Sequence, residues 1–292
     1  MNKSLLLLSS NLWRPTREEI RAFKGSFCIP DAFNYIPYGD NRRIWTPDSL
    51  IYDDFWLNKI IEVYKSYRYT HYVMNLGGHS YHNDYFTIPS NPLVARNFII
   101  KLLKNHIIPV CCATDDAYPD QVLKSYEYNA DLIDCSFVMW EMNQACEGDS
   151  DRMFEITKKV RDANPKALTY LHFTAGHGSM GIPEGEWWKK CAAIGIVGQL
   201  EQEAGFYDDN DTGDPVKVAQ GIENTAQHLH GQVPGWEGLD LDCIAFENTT
   251  TPVYHKWKGW DGIKQRAYGD YIINHCPSIA GWCDGANVEG TK

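Results

Sequence analysis

Two glutamates end apolar, strand-like runs: Glu141 in Ser136 to Asn143 (S-F-V-M-W-E-M-N) and Glu247 in Cys243 to Asn248 (C-I-A-F-E-N). A carboxylate at the end of a hydrophobic strand is costly to place unless it faces a cleft or has partners. Two of them facing each other suit cleavage of a glycosidic bond. One carboxyl protonates the leaving oxygen while the other attacks or stabilises the oxocarbenium carbon. Such a pair works only if its surroundings separate the two pKa values. Glu141 stands between Trp140 and Met142, an apolar setting that favours the protonated form. Glu247 is followed by Asn248 and Thr249, hydrogen-bond donors that favour the ionised form. That asymmetry casts Glu141 as acid/base and Glu247 as nucleophile.

Glu201 and Glu203, in Q-L-E-Q-E with Gln199, are the rival carboxylates. A wide pairing of Glu141 with Glu201 would imply an inverting reaction through water. Other chemistries have weaker support. His79, His82 and Asp84 fall in a long polar stretch, and Asp208, Asp209, Asn210 and Asp211 lack calcium-loop spacing. Ser179 in G-H-G-S-M is outside a G-x-S-x-G elbow. There is no C-x-x-C pair to support a structural zinc site, and the proposed chemistry calls for no cofactor.

The elements that must position these residues follow a rhythm. Strands are predicted at Ser26–Ile29, Thr70–Leu76, Ile107–Ala113, within Leu132–Glu141, and at Ala167–Phe173. Three more follow, at Ile194–Leu200, Asp242–Phe246 and Ile279–Trp282. Helical periodicity falls between them, at Phe55–Arg68, Leu93–Asn105, Gln121–Asn129, Asp151–Ala163, Glu184–Ala193, Val216–Leu229 and Asp261–His275. Alternation of this kind builds a parallel sheet, and at 292 residues a single (β/α)8 barrel is the economical α/β solution. A doubly wound sheet would want a glycine-rich turn after the first strand, where Pro30-Asp31-Ala32 stands. Little chain follows the last strand, so the eighth outer helix is expected to be short or missing. Residues 1–25, with a capping box at Thr16 and Glu19, are expected to pack on the barrel; either the helix at Thr16–Lys24 covers that gap or the chain is a piece of a larger protein.

In a barrel, strand C-termini converge on one mouth. Asn75, Asp115, Asn143, His172, Gln199, Glu201, Tyr207, Trp282 and Asp284 are therefore the expected substrate-binding residues around Glu141 and Glu247. Glutamates ending strands four and seven, with a tryptophan on strand eight, resemble the retaining glycoside hydrolases of the large clan whose catalytic pair sits there. The resemblance implies that Trp282, in G-W-C-D-G, forms a sugar platform. It departs from the clan at Trp140, where an asparagine usually precedes the acid/base, and Asn143 does not take over that position. The texture, including T-T-T-P-V-Y-H after Glu247, also resembles barrel domains of phage tail and virion proteins. That likeness implies a larger polypeptide or a virion assembly.

Composition narrows the partners. A formal charge of −11, from 38 acidic and 27 basic residues, argues against nucleic acid or an anionic membrane. The 10 Trp, 17 Tyr and 11 Phe suit both a packed core and a sugar-stacking surface, so a glycan is the expected partner. The apolar run Leu5–Leu8 is too short for a signal-peptide core, and no stretch has transmembrane length. The 9 scattered cysteines read as reduced, buried small hydrophobes of a soluble protein made in the cytoplasm.

Overall fold

The computed structural model describes residues 11–27, 54–76, 92–113, 119–140, 150–173, 184–201, parts of 216–227, 262–277 and 281–284. In chain order the elements are α1 (Arg17–Arg21), β1 (Lys24–Phe27), α2 (Asp54–Tyr67), β2 (His71–Asn75), α3 (Pro92–Lys104) and β3 (Ile108–Cys112). They continue with α4 (Pro119–Asn129), β4 (Cys135–Trp140), α5 (Ser150–Ala163), β5 (Leu168–Phe173), α6 (Glu184–Ala193) and β6 (Gly198–Glu201). After helical residues between 216 and 227 come α7 (Gly262–His275) and β7 (Trp282–Asp284).

All pairings are parallel, in the order β6-β5-β4-β3-β2-β1-β7. Strands consecutive in sequence are neighbours in space, and the last pairs with the first. That wrap-around is the strand order of a (β/α)8 barrel, and the fold is of this α/β class. The strand expected at Asp242–Phe246, whose place is between β6 and β7, lies outside the described residues.

Alternation splits the sheet residues into two cores. Ile108, Val110 and Cys112 of β3 pack inside the barrel with Cys135 and Phe137 of β4 and with Leu168 and Tyr170 of β5. Tyr72, Met74, Cys111, Val138 and Leu171 take the opposite positions and pack outward under the helices. Outside, Leu102 and Leu103 of α3, Val122 and Tyr126 of α4, and Val160 of α5 cover them. Adjacent Cys111 and Cys112 fall on opposite faces, as pleating requires.

The N-terminal segment closes one end of this cylinder. Thr16 caps α1 in a reciprocal box with Glu19. Two residues, Ile20 and the fully buried Phe23, then join the inner core rather than the outer one. Residues just before the strands meet the same segment: Thr70 N–H donates to Lys24 O at 2.6 Å, and the Trp13 ring packs at a tilt against His106, centroids 4.8 Å apart. The helix therefore plugs the barrel's N-terminal end, a correction to its expected place over the gap of the eighth outer helix. Ile20 and Phe23 stand on the chain directly before β1, so they reach the barrel axis and not its flank. On the flank, α7 is in contact with α2.

Three strand boundaries also move, the first being β1, which begins at Lys24, two residues before its expected start. The run Ile194–Val197 forms the exit turn of α6, and β6 begins at Gly198. Gly195, at φ +92°, donates to Ala192 O while Ile196 N–H reaches back to Cys191 O, a Schellman ending. The same pattern ends α2 at Arg68 and α3 at His106, both at positive φ without glycine. The last strand starts at Trp282 instead of ending there. Before it, Gly281 crosses Phe23 so closely that a Cβ would lie 2.4 Å from that residue's Cβ and backbone oxygen.

Under the plug, His71 is fully buried. Its Nε2–H donates to Ile20 O at 2.9 Å, leaving Nδ1 to accept beside Thr70 Oγ1 at 2.7 Å and Lys24 N–H at 3.4 Å. Its ring also lies 4.4 Å from that of Phe23. Burial pushes its pKa down to about 3, with the Ile20 hydrogen bond acting in the opposite direction. The unfolded chain, near the ordinary value of 6.5, therefore binds the proton first as pH falls. His71's contribution to stability is intact above that value and is lost progressively from about 6.5 down to about 3.

Two outcomes are expected in urea titrations. Phe23→Ala should cost about 3 kcal/mol or more, the usual loss for a buried phenylalanine. Between pH 7 and pH 5 the protein should lose up to about 2 kcal/mol through His71, and His71→Asn should flatten that slope.

Candidate functional site

The two ends of the barrel differ in what occupies them. At the N-terminal end, Arg14 forks onto Asp134 at 2.6 and 2.7 Å and donates to Asp131 O at 2.7 Å. Arg96 forks onto the Asp131 carboxylate through two 2.7 Å bonds, and that hydrogen bonding holds the Asp131 carboxyl below its usual range. With the plug beneath, this end is spoken for. The C-terminal ends of β2 to β6 are Asn75, Cys112, Trp140, Phe173 and Glu201, and these residues mark the opposite rim. Barrel chemistry is expected on that rim.

Glu141, Glu247, Asn143, Asp115 and Tyr207 lie outside the described residues. The structure nevertheless carries β4 to the residue before Glu141, with Trp140 paired to Phe173 at the last register. The other expected site residues lie in described strands, and the ladder fixes their backbone positions. Asn75 pairs with Cys112 and His172 with Met139, in the alternation that includes the inward-packed Cys135, Phe137 and Tyr170. Gln199 pairs with Leu171 and Glu201 with Phe173, in the alternation of the outward-packed Val138 and Leu171. Gly198 and Leu200 take the positions level with Tyr170 and His172.

At β7, Trp282 pairs with Lys24 and Asp284 with Ser26, and Ser26 pairs in turn with the outward-packed Tyr72. Trp282 thus opens its strand beside the first residue of β1, next to the plugged end. The expected strand would have carried it to the other end. Asn75 and His172 share a register face near the rim; Gln199, Glu201, Trp282 and Asp284 do not share it.

The described residues also contain functional-looking groups that the sequence does not announce as structural. His71 titrates near neutrality in a free chain, yet here it anchors the plug. The only available signal was its place in T-H-Y-V-M-N, two residues before Val73 and four before Asn75 on the same alternation. Tyr126 donates to Ser136 Oγ at 3.1 Å, which lies 3.1 Å from Thr169 Oγ1, a hydroxyl chain sealed behind the sheet. Burial pushes the Tyr126 phenol up to about 12 despite that bond. Cys111, Cys112, Cys135, Cys191 and Cys276 are buried, and burial raises Cys111, Cys135 and Cys191 well above the ordinary range. They are inert packing groups rather than nucleophiles. Among the described residues no group of three or more His, Cys, Asp or Glu could hold a metal ion. No described helix is long and apolar enough to cross a membrane.

No protein-family model matches the chain. No curated protein matches it either. Among solved structures it is similar to QR15, an aldolase, at 9% identity and TM-score 0.47 over 92% of both chains. It is similar to xylanase 10B from Thermotoga petrophila at 10% identity and TM-score 0.47, over 94% of this chain and 86% of that one. For a β-glucosidase from Thermotoga maritima the values are 11% and 0.44, over 90% and 85%. Similarity at this level carries no argument about activity, which must come from the chain's own residues.

The register makes Trp282 a sharp test. Trp282→Ala is expected to lower the denaturation midpoint while leaving affinity for any bound sugar unchanged. Lost sugar affinity at unchanged stability would restore the platform role and overturn the register.

Proposed function

We propose that the chain is a glycoside hydrolase acting on a poly- or oligosaccharide with retention, Glu141 serving as acid/base and Glu247 as nucleophile. The observation that carries the reading is the alternation of β4. Cys135 and Phe137 pack inside the barrel, and Met139 continues their alternation to within two residues of Glu141 in sequence. This supports an inward Glu141 over Glu201, whose register belongs to the outward series. In the proposed reaction Glu141 protonates the glycosidic oxygen while Glu247 attacks the anomeric carbon. Glu141, then ionised, takes a proton from water to release the sugar. Asn75 and His172, on the same register face, would bind sugar hydroxyls, joined by Asp115, Asn143 and Tyr207 from the loops.

Covalent amine chemistry has less to work with. Among the described strands the sole lysine is Lys24, at the N-terminal end, held by Asp270 at 2.7 Å.

The test is release of reducing ends from a panel of glycans. Glu141→Gln and Glu247→Gln should each reduce turnover by about 100-fold or more, with thermal unfolding unchanged. Full activity in either variant would remove that residue from the mechanism. Binding of a glycan without release by the unsubstituted protein would make the barrel a recognition module instead.

A further inference from the structure

We draw no further inference here: the strongest candidate, the surface patch where the exposed side chains Leu93 of α3 and Tyr128 of α4 stand beside the Arg96–Asp131 pair, is an apolar face and nothing in the structure shows what covers it.

Discussion

A parallel sheet that pairs its first strand with its last encloses a cylinder, and a cylinder of backbone must be filled. That constraint orders the rest of the molecule. β1 is bonded to β2 on one side and β7 on the other, so its residues sit where the wall closes. The chain fills the N-terminal end with its own leading segment, since Ile20 and Phe23 immediately precede β1 and need no separate linker to reach the axis. Apolar burial drives the closure, and polar groups orient it. His71 stays neutral so that one ring nitrogen can donate to Ile20 O while the other accepts. Arg14 ties the outer end of the segment to the turn before β4. This occupied end lies opposite the one where β2 to β6 finish.

Buried polar groups elsewhere serve the wall and not the chemistry. Asn164 donates to Ala130 O and Ile133 O, and Arg161 to Asn164 O, Pro165 O and Ala167 O, so the turns leading into β4 and β5 have their carbonyls satisfied. Unpaired, each such carbonyl would carry a desolvation cost comparable to a lost hydrogen bond. The Tyr126–Ser136–Thr169 chain links α4 to β4 and β5 in the same way.

Most of the architecture was legible because it rests on periodicity. The runs behind β2, β3 and β5, and the helix periods behind α2, α3, α5 and α6, lie within a residue or so of their expected bounds. Turn geometry was harder to read. Arg68 and His106 adopt a left-handed conformation that glycine would have advertised, and apolar Ile194 and Ile196 disguised the exit of α6 as strand. The placement of α1 was illegible for another reason. Its buried face, Ile20 and Phe23, has the same apolar character whether it seals an end or covers a flank. Register was the least legible feature of the site. Strands buried on both faces, such as I-P-V-C-C, hide which residues look inward, so Gln199, Glu201, Trp282 and Asp284 could be assigned to strand ends but not to a face.

The proposed hydrolysis depends on one geometric relation, that two carboxyl groups from opposite sides of the rim meet across a single sugar. A crystal structure of the protein that includes Glu141 and Glu247 measures it directly. The account predicts their carboxyl oxygens about 5–5.5 Å apart, the spacing of a retaining pair. A separation well beyond about 10 Å, outside both hydrolytic geometries, would contradict it.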